Sequence, residues 1–404
     1  MNLRSNLILI IVLIVLALLI TPQLAMPETF SVTWYLLRSA LLLASIFFVG
    51  KGLIVLIKST KSAAAIKNSA LSVAVIVVLL LMVELVMQYI PISHGNNQAY
   101  CSRLWFQWYW HLNQEHYRDR EYTDADMAPT MRKIFCIGDS YTAGHGIKHP
   151  VDRFSDLLAA RLSPRFAVFN FGQNGSNTPD ELRRLLEVPV KPDLVIWQHC
   201  LNDIDYLRPV TTASAAKPVA PIGRSILGAI APYSFLANYV FWLAEAHDVS
   251  KKAKQQSEQA HQITNTSNPL ASLRELFYQN HDLQQLLNQS EFGSYLDTVT
   301  RNAHINDLLR VDSICSSHQV KVLFLFFPGS DNLSLKALGD GLNQEMIAVL
   351  TKNGANCLSA FPAAMQLEER KRVASPLDGH PSEAWHALVA DALYGKLNEL
   401  GWIR

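Results

Sequence analysis

The sequence has 404 residues, of which 50% are hydrophobic and 17% are charged, and its formal net charge is +1. A near-neutral chain with so few charges lacks the basic surface that nucleic acids attract, so no nucleic-acid partner is expected. The apolar residues are concentrated in roughly the first ninety positions. This asymmetry indicates a membrane-associated N-terminal part followed by a globular part.

Three apolar runs occupy the N-terminal part, at Leu7–Ile20, Leu41–Ile57 and Leu71–Ile90. With its neutral flanks, each reaches the length of about 20 residues that a membrane-spanning helix needs. Residues 1–93 are therefore interpreted as an anchor of three transmembrane helices. A cleaved signal peptide remains the alternative for the first run, because its core is short, although no good small-residue cleavage site follows it.

The basic residues of the anchor predict its orientation. Arg4 precedes the first run, and Lys58, Lys61 and Lys67 crowd the loop between the second and third. The positive-inside rule places the N-terminus and this loop in the cytoplasm. The chain after about residue 93 is then extracytoplasmic, which means periplasmic in a Gram-negative cell. Glu84, inside the third run, is expected to be a helix-packing residue.

Residues 94–131 are interpreted as a connector rich in aromatic side chains, which include the stretch 105-WFQWYW-110. Aromatic residues just beyond a span commonly form a belt at the membrane interface. A platform on which sugars stack is the alternative for this stretch.

From residue 132 to the end, short apolar runs alternate with helical patterns. The predicted strands are Ile134–Ile137, Phe166–Phe171, Leu194–Gln198, Val320–Phe327 and Cys357–Phe361. The predicted helices are Val151–Leu162, Pro179–Leu186 with Thr178 as its N-cap, Leu335–Lys352 and Ser382–Leu400. Such alternation predicts a parallel sheet with helices on both faces, with reactive groups at the carboxyl ends of the strands.

Residues 206–318 interrupt this alternation and are interpreted as a helical cap insertion. Their apolar segment 225–244 contains Pro232, which breaks a continuous helix. A fourth membrane crossing here would also separate the motifs before and after it. The segment is therefore predicted to be a cap helix that dips into the bilayer surface.

The five cysteines give no metal-binding spacing, and neither a metal ion nor a cofactor is expected. Cys136 and Cys200 lie in apolar strand-like runs, where buried thiols are common. Outside the cytoplasm, a disulfide between Cys315 and Cys357 is an open alternative.

Candidate catalytic side chains follow the predicted strands. Ser140 comes directly after the first strand, and Asp378 and His380 lie beyond the last. A serine hydroxyl needs a base to become a nucleophile, and His380 is the best candidate. Asp378, two residues earlier, could orient the imidazole and stabilise its charged form. The sequence thus predicts a Ser-His-Asp triad.

Donors for a tetrahedral oxyanion are predicted from the same strand ends. The backbone N–H groups of Ser140 and Gly175 and the side-chain amide of Asn202 could form an oxyanion hole. Gly175 is expected to allow close backbone approach because it has no side chain. Gly172 remains the alternative donor in the loop after the second strand.

Together these blocks resemble the SGNH (GDSL-like) hydrolase family. The matching blocks are Gly138-Asp139-Ser140, Asn170-x-Gly172-x-x-Gly175, Asn202-Asp203 and Asp378-Gly379-His380-Pro381. The resemblance covers about residues 115–205 and 320–400. It implies a flavodoxin-like three-layer α/β/α domain that carries a serine esterase or acyl hydrolase site. With the anchor, it predicts an extracytoplasmic enzyme that acts on an acetylated glycan or a lipid ester.

Two positions depart from the family pattern. Cys200 occupies the place, two residues before Asn202, where the family usually has glycine. The last block has one residue between Asp378 and His380, where the family often has two, and the shorter form also occurs in membrane-linked proteins of polysaccharide O-acetylation. An alternative is therefore O-acyl transfer to an envelope polysaccharide, with a membrane protein as acyl donor. A second alternative is a non-catalytic binding or assembly module.

Four further histidines, His145, His149, His199 and His386, lie near the motifs. His145 and His199 are candidates for lining the pocket, whereas His386 is expected to be structural, since it lies within the last predicted helix.

Overall fold

The computed structural model describes residues 32–58, 64–96, 98–207, 226–263, 269–279, 291–328 and 333–404. The first apolar run, Leu7–Ile20, lies outside the described residues. The chain divides into two compact units. The first comprises Met1–Tyr109 and Pro218–His247, and the second comprises Trp110–Lys217 and Asp248–Arg404.

The described residues form seven strands and fifteen α-helices. The strands are β1 (Arg132–Gly138), β2 (Phe166–Gly172), β3 (Leu194–His199), β4 (Lys321–Phe326), β5 (Asn356–Ser359), β6 (Val373–Ser375) and β7 (Asp378–Pro381). The helices of the first half are α1 (Val32–Lys58), α2 (Ala64–Met87), α3 (Tyr100–Tyr109), α4 (Asp124–Met127), α5 (Ser140–Ala143), α6 (Phe154–Leu162) and α7 (Thr178–Glu187). Those of the second half are α8 (Ile226–Ile230), α9 (Phe235–Ile263), α10 (Pro269–Gln279), α11 (Glu291–Leu296), α12 (Thr298–Ser317), α13 (Leu333–Lys352), α14 (Phe361–Met365) and α15 (Glu383–Glu399).

Two helices of the first unit are long and apolar enough to cross a membrane. Their apolar stretches are Val32–Val55, with 24 residues, and Asn68–Met87, with 20 residues. In the most apolar 18-residue part of each, only 22% and 11% of the residues are buried, and apolar side chains such as Phe47 and Leu79 are exposed. By length and composition these helices correspond to the second and third predicted runs.

A buried ion pair joins these two helices to the start of α9. Arg38 on α1 pairs with Glu84 on α2, and both side chains are buried. The Glu84 carboxylate also accepts hydrogen bonds from the N–H groups of Phe235 (2.7 Å) and Leu236 (3.0 Å). A carboxylate at a helix N-terminus satisfies backbone donors that the helix leaves unpaired and interacts favourably with its dipole. Glu84 thus has the packing role that the sequence predicted.

Pro232 interrupts the apolar segment 225–244, as expected. Helix α8 ends at Ile230, a short 3₁₀ turn contains Pro232, and α9 begins at Phe235. These residues belong to the first unit, in which the Tyr100 hydroxyl donates to the Pro232 carbonyl at 2.8 Å. Tyr100 and Trp105 are fully buried, so the aromatic residues of α3 do not all lie on a surface belt. The helical period turns some of them into the core.

The second unit contains a five-stranded parallel sheet in the order β2-β1-β3-β4-β5. This confirms the predicted flavodoxin-like parallel sheet. From β1, the chain adds β2 on one side and β3 on the other, so the order reverses between β1 and β3. In doubly wound sheets, the crevice at this reversal is where ligands bind.

Alternate side chains of the strands supply two hydrophobic cores, one on each face. On β1, Phe135 and Ile137 pack into one core, together with residues of α12 and α13. Ile134 and Cys136 pack into the other, with residues of α6 and α15. Because successive strand residues point to opposite faces, both faces are covered and three layers result.

Two details of the sequence interpretation are corrected. Asn177, and not Thr178, caps α7, since its side chain accepts from the Asp180 N–H at 3.2 Å. All five cysteines are free. Cys315 is buried in the core between α12 and the sheet, so the open alternative of a disulfide with Cys357 is not realised.

Candidate active site

Ser140 occupies the turn between β1 and α5. Strand β1 ends at Gly138, and Ser140 is the first residue of α5. Asp139 caps this short helix, because its Oδ1 accepts from the Tyr141 N–H at 2.9 Å. Such caps hold the first turn of a helix in place. Ser140 is thereby fixed at the carboxyl end of the sheet, at the reversal point of the strand order.

His380 and Asp378 meet Ser140 there, although 240 positions separate Ser140 from His380. His380 Nε2 lies 2.9 Å from Ser140 Oγ, and His380 Nδ1 lies 2.5 Å from Asp378 Oδ1. Asp378 is buried, whereas the His380 side chain remains 18% exposed. The hydroxyl, the imidazole and the carboxylate thus lie in series, in an order suited to transferring the serine proton to the imidazole.

The sequence predicted no strand around His380, and this prediction was wrong. The residue lies on β7, which pairs antiparallel with β6. Asp378 Oδ1 also accepts the backbone N–H of His380 at 3.1 Å. One carboxylate oxygen therefore contacts both the backbone and the ring of His380, which fixes the residue more firmly than a loop would.

Asn202 lies just after β3, in a 3₁₀ helix that spans Leu201–Leu207. Its Nδ2 donates to Asp139 Oδ2 at 3.2 Å. The same carboxylate oxygen lies 3.3 Å from Ser140 Oγ. The buried Asp139 therefore links the predicted nucleophile to the predicted oxyanion donor.

The two glycines of this block, Gly172 at the end of β2 and Gly175 in the loop that follows, have different surroundings. A Cβ at Gly172 would lie 2.1 Å from the backbone nitrogen of Ala143, so the absence of a side chain at Gly172 permits the close contact between β2 and α5. Gly175 instead has open space around its Cβ position and a φ of +74°, a conformation that favours glycine. Gly175 is thus selected by its backbone conformation, and its assignment as an oxyanion donor stays a prediction.

Cys200, where the family pattern has glycine, has its own contacts in the turn. Its Sγ lies 3.1 Å from Asp139 Oδ2 and also contacts Asn202 Oδ1. Its backbone N–H donates to Asp203 Oδ2 at 3.0 Å. Burial raises the pKa of the Cys200 thiol well above its usual value, so the protonated form is favoured. The turn therefore accommodates a side chain at this position.

Acidic groups are buried behind the predicted nucleophile. Burial raises the pKa of Glu181 to about 8, and the nearby Asp139 charge adds to the effect. Burial also raises the pKa of Asp203 well above its usual range. Like charges in one low-dielectric region disfavour simultaneous ionisation. Sequence reasoning missed this cluster, because nothing in the motif spacing shows that α7 brings Glu181 towards Asp139.

Three of the neighbouring histidines have distinct environments. The His145 ring stacks on that of His380, with centroids 4.1 Å apart and an angle of 10° between the planes. His199 is fully buried, and its Nε2 lies 2.9 Å from His304 Nε2. His386 is also fully buried and accepts the Phe154 N–H on Nδ1 at 3.1 Å, which agrees with its expected structural role. Of these three histidines, His145 is the one that stacks on a residue of the predicted triad.

Replacing His386 with asparagine should make the protein less sensitive to acid. Burial lowers the pKa of His386 to about 3. Since the unfolded-state pKa is about 6.5, the unfolded chain binds more protons between these values. The stability contributed by neutral His386 is therefore present above pH 6.5 and is lost as pH falls towards 3. Between about pH 7.5 and pH 5, this one residue should cost about 2 kcal/mol.

Asparagine keeps an acceptor for the Phe154 N–H but does not titrate. Urea unfolding of the full-length wild type and of His386→Asn, each at about pH 7.5 and pH 5, checks this. The difference between proteins cancels the opposing contributions of other buried groups, such as Glu181. An equal loss of stability in both proteins on acidification would contradict the prediction.

Two groups in the described part of the chain combine side chains that can ligate metals. They are His145, Asp378 and His380, and Asp139, Cys200 and Asp203. The two rings of the first group are stacked with their centroids 4.1 Å apart, so their in-plane lone pairs lie in two separate, nearly parallel planes and cannot both point at one ion about 2.0–2.1 Å away. In the second group, the raised pKa of Cys200 disfavours the thiolate that a metal needs. Neither arrangement favours a bound metal ion.

The model of the GDSL-like lipase/acylhydrolase family matches residues 136–388. A search of curated proteins found no match.

Among solved structures, the chain is similar to a member of the lipolytic G-D-S-L family from Veillonella parvula, with 13% identity, 67% of this chain and 97% of that chain covered, and a TM-score of 0.35. It is similar to the lipase/acylhydrolase from Enterococcus faecalis, with 16% identity, coverage of 67% and 97%, and a TM-score of 0.34. It is also similar to an acetylxylan esterase from Geobacillus stearothermophilus, with 15% identity, coverage of 69% and 99%, and a TM-score of 0.30.

Proposed function

The chain belongs to the GDSL-like lipase/acylhydrolase family, and from this premise we propose that it is a serine esterase whose nucleophile is Ser140. The observation that carries the proposal is the series of contacts from Ser140 Oγ to His380 Nε2 (2.9 Å) and from His380 Nδ1 to Asp378 Oδ1 (2.5 Å). Nucleophile, base and orienting carboxylate are each within hydrogen-bonding distance of the next, as acyl-serine chemistry requires.

In the proposed acylation step, Ser140 Oγ attacks the ester carbonyl carbon and gives its proton to His380 Nε2. The carbonyl oxygen becomes a tetrahedral oxyanion. Asp378 keeps the proton of His380 on Nδ1 and stabilises the imidazolium. His380 then donates its new proton to the leaving alcohol, the ester C–O bond breaks, and an acyl-serine remains.

In the proposed deacylation step, a water molecule replaces the alcohol. His380 takes a proton from the water as the water oxygen attacks the acyl carbon. His380 then gives this proton to Ser140 Oγ as the carboxylic acid leaves. The oxyanion of both steps would be bound by the N–H groups of Ser140 and Gly175 and by the amide of Asn202. The position of Asn202, 3.2 Å from a carboxylate oxygen that also neighbours Ser140 Oγ, supports its assignment.

Replacing Asn202 with alanine should then lower kcat by about 10²-fold or more, because one preorganised oxyanion donor is lost. KM should change little, since the donor acts mainly on charge that develops in the transition state. Steady-state kinetics on a soluble ester checks this. A variant with a raised KM and an unchanged kcat would assign Asn202 to ground-state binding instead.

We further propose that the two apolar helices of the first unit anchor the enzyme in a membrane, together with the predicted first span. Lys58 at the end of α1, Lys67 near the start of α2 and Lys61 between them in the sequence favour a cytoplasmic position for this end of the two helices. The catalytic unit would then lie outside the cytoplasm. Protease treatment of the full chain in sealed vesicles whose outer face is the extracytoplasmic face tests this orientation. The catalytic unit should be cleaved without opening the vesicles, and cleavage only after they are opened would contradict the proposal.

An extracytoplasmic site favours an ester of the cell envelope, either an acetylated glycan or a lipid. The same acyl-serine could pass its acyl group to a sugar hydroxyl, and this transfer would require a membrane acyl-donor protein. Trapping the acyl-enzyme and offering water and glycans together separates the two reactions. Release to water in preference to every glycan tested supports hydrolysis, and efficient transfer to a glycan overturns it.

The test of the proposed function uses the full-length protein in detergent. A panel of short-chain and long-chain nitrophenyl esters is assayed beside a fluorophosphonate probe, with Ser140→Ala as the blank. Hydrolysis and labelling by the wild type alone would support the proposal. Equal labelling of wild type and Ser140→Ala would instead indicate a non-catalytic binding or assembly module.

A further inference from the structure

His145 lies in a tightly held loop directly after α5. Its neighbours Gly144 and Gly146 have φ values of 75° and 87°, which only glycine adopts readily. The buried guanidinium of Arg118 donates to the Ile147 carbonyl at 2.5 Å and also to the Gly144 carbonyl. The backbone on both sides of His145 is therefore fixed by one buried side chain.

The ring of His145 contacts the two triad residues that come from β7. It stacks on His380 with centroids 4.1 Å apart and planes at 10°, and its Nε2 lies 3.6 Å from Asp378 Oδ2. The Trp110 ring also contacts the His145 ring, with the two centroids 6.1 Å apart and an angle of 64° between the ring planes. His145 itself is only 6% exposed, so the stacked ring has little room to move.

On another side, His380 meets Tyr141 at a centroid distance of 5.4 Å and an angle of 68°. The His380 ring thus has a parallel aromatic surface on one face and a tilted one beside it. A rotation about the Cβ–Cγ bond of His380 would turn the ring out of the stack. The same rotation would move Nε2 away from Ser140 Oγ and Nδ1 away from Asp378 Oδ1. The stacked arrangement therefore opposes the rotation that would disrupt both triad contacts.

We infer that His145 is a positioning residue for the proposed triad: its flat ring holds the imidazole of His380 in the plane in which Nε2 faces Ser140 and Nδ1 faces Asp378. This inference rests on the proposed function. It assigns the contact surface of the ring, and not a proton carried by His145, as the property that matters. A small misorientation of a catalytic base lowers the rate without weakening substrate binding.

Three substitutions distinguish the contribution of the flat ring of His145 from the contribution of its ring nitrogen. His145→Ala removes both, His145→Phe keeps a flat aromatic ring without a ring nitrogen, and His145→Gln keeps an amide nitrogen near Asp378 without a ring. Relative to wild type, the alanine and glutamine variants should lose about tenfold in kcat with KM nearly unchanged, and the phenylalanine variant should retain activity within about threefold.

The same ranking is expected in the rate at which a fluorophosphonate labels Ser140 in the full-length protein. In that reaction, Oγ forms a bond to phosphorus, fluoride leaves, and the serine proton passes to His380. The measurement needs no knowledge of the natural ester. Circular dichroism and thermal unfolding of each variant show that the comparison is made on folded protein.

The outcomes separate this inference from the proposed function. A wild type labelled no faster than Ser140→Ala overturns both. If the wild type is labelled and His145→Ala is labelled at the same rate, the inference alone is overturned. Loss of activity in His145→Phe also overturns the inference, whether or not His145→Gln keeps its activity, because the flat ring would then not be the deciding property. Rescue by phenylalanine alone is the result that we expect.

Discussion

Replacing Ser140 with alanine should lower kcat/KM for ester hydrolysis by about 10⁴-fold or more. The substitution deletes the atom that lies 2.9 Å from His380 Nε2, so no acyl-serine can form. Any residual rate would come from the oxyanion donors and from substrate binding acting on water. The measurement is steady-state hydrolysis of a nitrophenyl ester, with fluorophosphonate labelling as a readout of the nucleophile itself.

A second serine at the same edge of the sheet is the matched control. Ser176 is also buried, and its Oγ lies within hydrogen-bonding distance of the Gly138 carbonyl oxygen (3.1 Å) and of Glu181 Oε1 (3.2 Å). Ser176→Ala should keep kcat/KM within about tenfold of wild type, since it removes the hydrogen bonds of one hydroxyl but no group that takes part in the proposed reaction. If folded Ser140→Ala retained as much activity as Ser176→Ala, the proposed nucleophile would be wrong.

Replacing Gly172 with alanine should destabilise the second unit by about 3 kcal/mol or more and lower the esterase rate with it. The added Cβ would lie 2.1 Å from the nitrogen of Ala143 and 2.6 Å from the carbonyl carbon of Thr142. These are backbone atoms of the short helix that begins with Ser140, so they cannot move without displacing the proposed nucleophile. Urea unfolding and ester hydrolysis, measured on the same preparation, check the two effects.

Gly175 provides the comparison for this effect. An added Cβ there would meet nothing within 4 Å, and only its φ of +74° opposes a side chain. Gly175→Ala should therefore cost about 1 kcal/mol, the usual penalty of a left-handed conformation for an L-residue. If Gly172→Ala were no more destabilising than Gly175→Ala, the close contact between β2 and α5 would not be as tight as described.

The fold of the second unit could be predicted because its signal is local. Apolar runs such as Leu194–Gln198 contain enough consecutive buried side chains to identify central strands of a parallel sheet. Once the strands are known, the rule that their carboxyl ends share one edge brings Ser140 and Asn202 together without any coordinate. The same reasoning placed His380 near that edge but missed its strand, because β6 and β7 are three and four residues long.

The glycines show what a motif leaves open. Gly172 and Gly175 match the same block, and spacing favoured Gly175 as the oxyanion donor without saying what surrounds either residue. Only the packing of β2 against α5 reveals which of them would collide with backbone if it had a Cβ. His145 was likewise one of several nearby histidines, since stacking on His380 depends on two segments that are more than 230 positions apart.

By itself, the sequence determined the parallel α/β fold, the family resemblance, the two apolar helices that the structure describes, and the residue types of the candidate site. These follow from patterns within short windows, where side-chain period and turn chemistry act directly. Only the tertiary structure decided that His145 stacks on His380, that Glu181 and Asp203 are buried near Asp139, and that Glu84 binds the N-terminus of α9. Each of these depends on the distance between segments remote in sequence, which packing of the whole chain sets and no local pattern encodes.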